Sequence, residues 1–301
     1  ADGYVRSEGG AVVLLQTLAQ AQKDGDAVHA VIRATAVNSD GRTAGIALPN
    51  GKAQAALMAG IYGEELAKAR VAYVEAHGTG TKAGDPIEAR AIGEVLGHKT
   101  GEALPVGSVK SNLGHLETAS GMAGLAKALC VLEKGEIPGN IHFETPNPAI
   151  DFAGLGLRVA VKTEKLPVVE GAPLVGLNSF GFGGTNAHVV LEQYRAPASN
   201  VQVSTDRLLP LLVTAKSRES LTGAAKLLCE RLAGTDIAAF NRTAAALFHQ
   251  REHLPHRFYM KARTVDDAAA SLRALASGAA DFKDAALGRN ALGRTKSAWV
   301  Y

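Results

Sequence analysis

The chain has 301 residues, 47% of them hydrophobic and 20% charged, with a formal net charge of +3 and two cysteines. That balance fits a globular protein with one large or two moderate cores, and it lacks the basic stripe that nucleic-acid binding needs. No apolar run reaches the roughly 18–20 residues of a membrane-spanning helix, and Ala1-Asp-Gly-Tyr4 does not read as a signal peptide.

In chain order, residues 2–8 read as a loop. Gly9-Gly-Ala-Val-Val-Leu-Leu15 then has the apolar density of a strand buried on both faces, which needs neighbours on either side. With nothing before it to supply them, the expectation is a truncated domain. Residues 72–76 form a strand that delivers His77 to the turn His77-Gly-Thr-Gly-Thr81. Gly78 and Gly80 let the backbone pass close to a ligand, and the hydroxyls of Thr79 and Thr81 sit on alternate positions facing one channel. A helix follows, with Asp85 as N-cap, Pro86 at N1 and Glu88 at N3, ending near Leu96 and Gly97. By itself, His77 also fits a histidine satisfied by local hydrogen bonds at a strand end.

A second strand, residues 104–109, leads into a loop over 110–117 that carries Lys110-Ser-Asn-Leu-Gly-His115. The helix over 118–134 ends at Gly135. Its face of Ala119, Gly121, Ala123, Gly124 and Ala126 predicts close packing on another backbone, since each glycine costs roughly 1 kcal/mol of helix propensity against alanine. Cys130 lies inside this helix and reads as a structural thiol, because nucleophilic cysteines want a helix N-terminus or a basic neighbour. Together with Cys229 it fits inert thiols in a reducing cytoplasm.

The third motif, Asn178-Ser-Phe-Gly-Phe-Gly-Gly-Thr-Asn-Ala-His188, lies between strands over 173–177 and 187–191. Its glycines offer exposed amide donors suited to an oxyanion. No helix follows and no Gly-Lys-Ser/Thr is present, so it is no phosphate loop. A plain hairpin turn is the alternative. Residues 193–200 read as a connector. Beyond it come a strand (209–215), a helix (217–232) with Ser217 as N-cap, a helix (236–249), a strand (257–263) and a helix (265–276), an α+β module that ends in the apolar Ser297-Ala-Trp-Val-Tyr301. His249, His253 and His256 lack the accompanying cysteines or carboxylates of a metal site, so packing or surface roles are expected and no metal is.

Taken in order, His77-Gly-Thr-Gly-Thr, Asp85-Pro, Lys110-Ser-Asn-Leu-Gly-His115 and Gly181-Phe-Gly-Gly-Thr-Asn186 resemble the C-terminal half of a β-ketoacyl synthase. Asp2-Gly-Tyr-Val-Arg6, Asn38-Ser-Asp-Gly41 and Pro49-Asn50 are similar, more specifically, to ketosynthase domains of type I polyketide synthases. The resemblance implies an α/β, thiolase-like layered fold over residues 1–194, present as its C-terminal half. It also implies a small α+β linker domain over 195–301, like the one that joins ketosynthase to acyltransferase, with Thr243 to Arg257 its most typical part. The implied reaction is decarboxylative Claisen condensation of acyl and malonyl-type thioesters.

On that resemblance, His77 and His115 bind the malonyl carbonyl and stabilise the enolate. Lys110, paired with Glu117, orients His115, while Thr79 and Thr81 bond the phosphopantetheine arm. The amide of Phe182 is one oxyanion donor, and the rings of Phe180 and Phe182 line the acyl channel. The family's acyl-carrying cysteine lies in an Asp-Thr-Ala-Cys-Ser-Ser-like segment that residues 1–301 do not contain. The chain alone is therefore expected to be inactive without the N-terminal half. Further implied are an acyl carrier protein and an adjacent acyltransferase domain as partners, a homodimer for the intact domain, no bound cofactor, no membrane and a cytoplasmic setting. A decarboxylase-only loading ketosynthase, with glutamine for cysteine, and a non-catalytic linker or docking scaffold stay open as alternatives.

Overall fold

The first unit, Ala1–Pro197, alternates strands and helices in the order α1 (Leu18–Asp24), β1 (Val31–Ser39), α2 (Gly51–Ala59), β2 (Val71–Glu75), α3 (Gly84–Val95), β3 (Leu104–Gly107), α4 (Lys110–Leu113), α5 (Ser120–Lys134), β4 (Glu136–Ile137), α6 (Phe152–Leu155), β5 (Leu157–Val159), β6 (Glu164–Lys165), β7 (Leu174–Phe180) and β8 (Thr185–Glu192). The computed structural model describes residues 3–45, 48–63, 66, 68–98, 101–196, 206–282 and 284–289.

Six strands make one mixed sheet, ordered β1-β8-β7-β2-β3-β5. β2, β3, β5 and β7 run parallel where they pair, while β8 is antiparallel to both β7 and β1. Every residue of β2 and β3 is buried, the burial expected of parallel strands with helices on both faces. On one face Val71, Val74, Leu104, Leu174 and Val190 join Met58 of α2 and Ala91 and Ile92 of α3 in one core. On the other, Ala72, Tyr73, Val175 and Leu191 pack with Ala128, Val131 and Leu132 of α5. This is the layered α/β arrangement anticipated.

α5 runs from Ser120 to a left-handed Gly135, ending where the sequence predicts. Its small face is real but is made by Gly121, Ala123, Gly124 and Ala128. A Cβ at Gly121 would stand 3.0 Å from Ser179 Oγ, and one at Gly124 2.7 Å from Leu177 Cδ1. Ala126 and Cys130 are exposed, so neither belongs to the packed face and the thiol is not a core group.

Residues 9–15 correct the sequence reading: they form no strand, and Val12 and Leu14 are 99% and 94% exposed. Their apolar density meets no partner strand among the described residues.

The second unit, Ala198–Tyr301, carries β9 (Leu211–Ala215), α7 (Arg218–Leu232), α8 (Ile237–His249), β10 (His256–Met260), α9 (Val265–Ala276) and β11 (Ala285–Arg289). β10 lies between β9 and β11, antiparallel to both. Ser217 caps α7 as expected, accepting from Ser220 N, and Thr264 with Asp267 forms a capping box on α9. β11 is an element that the sequence does not predict, and residues 297–301 lie outside the described residues. His253 lies 2.9 Å from the carbonyl of Phe248, and both it and His249 pack on the Phe248 ring. Among the described residues no group of His, Cys, Asp or Glu is set to hold a metal, and no helix is long and apolar enough to cross a membrane.

Candidate active site

The loop 77–81 leaves the C-terminal end of β2 and is tied down by the helix that follows it. Glu88 sends its carboxylate back from α3 to accept from the amides of His77, at 2.7 Å, and Gly78, at 2.9 Å. Asp85 accepts from Gly80 N at 3.0 Å. The spacing of these two carboxylates predicts helix caps. The helix instead begins at Gly84 behind Ala83 with no side-chain cap, because the loop amides claim both acids. Thr81 takes the local task, accepting from Gly84 N at 3.1 Å, and its hydroxyl lies 3.1 Å from that of Thr79.

The second loop, expected to be irregular over 110–117, holds a helical turn, α4, and a 3-10 turn over Glu117–Ala119. Glu117 adopts φ of 54°, a left-handed backbone that is rare outside glycine. From there its N–H donates to Nδ1 of His115 at 2.9 Å. Lys110 does not pair with Glu117 as expected. Its Nζ lies 3.5 Å from Nδ1 of His77, and the Glu117 carboxylate is held by Arg6 at 2.7 Å.

Arg6 belongs to an element to which the sequence assigns no role. Residues 3–7 lie across both histidine loops: Gly3 N donates to Gly80 O (3.1 Å), His115 N to Val5 O (2.8 Å) and Ser7 N to His115 O (2.9 Å). The Tyr4 ring stacks on His115 with centroids 4.6 Å apart. This contact needs glycine beneath it, since Gly114 has φ of 76° and a Cβ there would meet Val5 O at 2.8 Å. Gly114→Ala is expected to lower stability by about 2 kcal/mol or more through strain and overlap, read as a fall in the urea midpoint at unchanged slope.

The third loop is the hairpin turn between β7 and β8. Gly181 N donates to Thr185 O at 2.7 Å and Gly184 N to Gly181 O at 3.0 Å. Gly183 and Gly184 take φ of 109° and 89°. Asn186 anchors the turn by donating to Asp40 at 2.7 Å. Phe180 is buried on β7 and its ring sits 5.8 Å from that of His77. Phe182, on the turn itself, is 82% exposed.

The three loops meet around a cavity of about 450 Å³ whose lining includes Tyr4, His77, Thr79, Thr81, His115, Phe180 and Phe182. The two imidazoles stand 5.5 Å apart, edge to face at 88°. Burial pushes the His77 pKa down to about 3, helped by the Lys110 and His115 charges. His115 is lowered as well, by burial first and then by Lys110, against Glu117. Both rings are therefore neutral near pH 7. An ammonium and an amide can only donate, so Nδ1 is the acceptor in each ring and the proton sits on Nε2. Burial also lowers Lys110, opposed by the charges of Glu88, Glu75 and Asp85. Two neutral N–H donors beside one cavity are suited to an oxygen on which negative charge develops.

Beneath the Lys110 loop lies a buried ion pair that sequence reading misses. Glu75, 1% exposed, accepts from Lys127 Nζ at 3.0 Å, Tyr73 OH at 2.7 Å and Val109 N at 2.6 Å. The available signal is its place in an apolar strand, a carboxylate where a core residue belongs.

Two family models match the chain: the C-terminal domain of β-ketoacyl synthase over residues 29–144, and the ketoacyl-synthetase C-terminal extension over 146–260. A phenolphthiocerol/phthiocerol polyketide synthase of Mycobacterium tuberculosis is 44% identical over 287 residues, covering 92% of this chain and 15% of that protein. Polyketide synthase GfsA of Streptomyces halstedii is 42% identical over 92% of this chain and 4% of its own length. Among solved structures, the oxazolomycin ketosynthase domain OzmH KS7 of Streptomyces albus JA3453 superposes with a TM-score of 0.81 at 34% identity, over 98% of this chain and 53% of that one. The ketosynthase from module 6 of the bacillaene synthase of Bacillus subtilis 168 gives 0.76 at 29%, over 91% and 48%. The chain thus spans about half the length of the ketosynthase structures and a small part of the curated relatives.

Proposed function

The chain belongs to the ketosynthases of type I polyketide synthases, as their C-terminal region, and from that premise we propose that its histidine loops carry the decarboxylation half of a decarboxylative condensation. The observation that supports this reading is the pair of imidazoles 5.5 Å apart at one cavity, with Nδ1 of His77 beside Lys110 Nζ and Nδ1 of His115 accepting from the Glu117 amide, an arrangement that leaves Nε2 of each to carry the proton. A malonyl-type thioester held there breaks its bond between the carboxylate and the α-carbon. Carbon dioxide leaves, and the electron pair spreads onto the thioester oxygen, where the Nε2–H groups of His77 and His115 meet the enolate charge. The α-carbon then attacks an enzyme-bound acyl thioester and expels the cysteine thiolate.

Lys110 is assigned to hold the His77 tautomer through Nδ1, and the Glu117 amide to hold that of His115. Thr79 and Thr81 are assigned to the phosphopantetheine arm of an acyl carrier protein, Phe180 to the wall beside His77, and the Phe182 amide to the acyl oxyanion. The cysteine is assigned to an Asp-Thr-Ala-Cys-Ser-Ser-like segment, which residues 1–301 do not contain, and Cys130 is an exposed helix residue. An acyltransferase neighbour joined through residues 195–301, a homodimeric setting, a site without cofactor and a cytoplasmic location belong to the same reading.

Incubating the 301-residue chain with acyl- and malonyl-loaded carrier proteins is expected to give no β-ketoacyl product. Supplying the cysteine-bearing part of a matching ketosynthase is expected to restore it. Product from the chain alone would overturn the reading. The lowered histidine pKa values give a second outcome. With the His77 pKa near 3 and that of His115 also lowered, any acid limb that the two rings give to kcat/KM for malonyl decarboxylation is expected to lie below 6.5, the ordinary imidazole value.

A further inference from the structure

The carboxylate that anchors the His77 loop is joined by hydrogen bonds to groups beyond its own helix. His188 on β8 is fully buried and lies opposite Asn178 in the β7/β8 register. Its Nδ1 is 2.6 Å from Asn178 Oδ1, and its Nε2 is 2.9 Å from Tyr62 OH. Asn178 Nδ2 in turn donates to Glu88 Oε1 at 2.9 Å. Glu88 is the carboxylate that accepts from the His77 and Gly78 amides.

Direction along this row follows from its end. A carboxylate only accepts, so Asn178 presents its NH₂ to Glu88 and its carbonyl to His188. His188 must then carry its proton on Nδ1, which leaves Nε2 to accept from Tyr62. Each group has one role, and burial keeps His188 neutral by lowering its pKa to about 4. The row also has reserved space: a Cβ at Gly176 would stand 3.0 Å from His188 Cε1 and 3.2 Å from Tyr62 OH.

We propose that His188 is a positioning residue for His77, holding Asn178 and through it the Glu88 carboxylate on the two loop amides. Glu88 is only 5% exposed, at the wall of the cavity, so water is a poor substitute for a lost donor. Without His188, the Asn178 carbonyl loses its donor and the amide is held at its NH₂ end alone, so its place on Oε1 is less well fixed. One of the three donors to the carboxylate is then less firmly set, and the carboxylate is less firmly placed on the His77 and Gly78 amides. The consequence for turnover rests on the decarboxylation role given to His77; the structural coupling does not.

Amide hydrogen exchange on the 301-residue chain tests the coupling without turnover. In His188→Phe, which keeps a ring of similar size but no polar atom, the His77 and Gly78 amides are expected to exchange about 10- to 100-fold faster. The amides of β2 and of the β7/β8 ladder are expected to keep their rates. His188→Asn restores a donor near the Nδ1 position and is expected to return the two amides close to wild type. Tyr62→Phe, a milder change, leaves the Nδ1 bond intact and is expected to accelerate them less than His188→Phe. Unchanged exchange at His77 and Gly78 in His188→Phe would overturn the proposal. So would an equal rise across β2, β7 and β8, which marks general loosening. Loss of decarboxylation with these rates unchanged would count against the row, and altered rates with normal decarboxylation against the role of His77.

Discussion

His77→Ala in a ketosynthase assembled around this chain is expected to slow malonyl decarboxylation about 100- to 1000-fold, the usual loss for one preorganised oxyanion donor. The fold should survive, because what anchors the loop is the His77 amide on Glu88, which alanine keeps. The ring stands apart from the sheet cores, against His115, Phe180 and Lys110. The loss should therefore appear in kcat with little change in thermal midpoint. His115→Ala is expected to cost a similar factor. The double variant should lose much less than the product of the two, since both donors serve one oxygen and the second contributes little once the first is gone. His77→Gln is the informative intermediate: its amide can place an N–H where Nε2 stands, and recovery of about tenfold over alanine is expected if donation is the role. Release of carbon dioxide from malonyl-loaded carrier protein is the readout, and a His77→Ala rate equal to wild type would remove the histidine pair from the chemistry.

Much of this site is legible in the sequence because its signals are local. A strand end followed by His-Gly-Thr-Gly-Thr, a strand end followed by Lys-Ser-Asn-Leu-Gly-His, and a glycine turn between two strands each declare a loop beside a sheet, and all three border one cavity. What stays hidden depends on partners distant in sequence. Asp85, Pro86 and Glu88 have the spacing of a capping box, yet both acids serve the loop before the helix, because a buried amide without an acceptor costs more than a helix end left to its own first turn. Lys110 and Glu117 look paired at seven positions apart, but Arg6, which lies 111 residues from Glu117, takes the carboxylate. The row from Tyr62 to His188 spans 126 positions, and no periodicity reports it. The expected strand over residues 9–15 fails for the complementary reason: apolar density makes a strand only where another strand pairs with it. β11 gives no signal because Ala-Ala-Leu-Gly-Arg contains no β-branched or aromatic residue, and only the register with β10 makes it a strand.

The Glu75–Lys127 pair gives the largest expected effect on stability. Removing either partner strands a charge at a site where the Lys127 side chain is 8% and the Glu75 side chain 1% exposed. Glu75→Leu or Lys127→Met is therefore expected to cost about 3–5 kcal/mol, the range for breaking a buried pair from one side. Replacing both, as Glu75→Leu with Lys127→Met, removes both charges and fills the space with apolar atoms, so the double variant should be less destabilised than the sum and can approach either single. It should not return to wild type. The Val109 amide and the Tyr73 hydroxyl, which Glu75 accepts from at 2.6 and 2.7 Å, lose their acceptor in a dry core, and each buried donor left alone costs about 1–3 kcal/mol. Val109 directly precedes Lys110, so the same double variant should also shift the loop that carries Lys110 and His115 and reduce decarboxylation even at temperatures where it is folded. Urea unfolding of the four proteins in the cycle gives the coupling energy, and the residual rate of the folded double variant reads the loop. Strict additivity of the two singles would show that the charges do not interact across the pair. A fully active double variant would show that Glu75 holds the core alone and leaves the loop to other contacts.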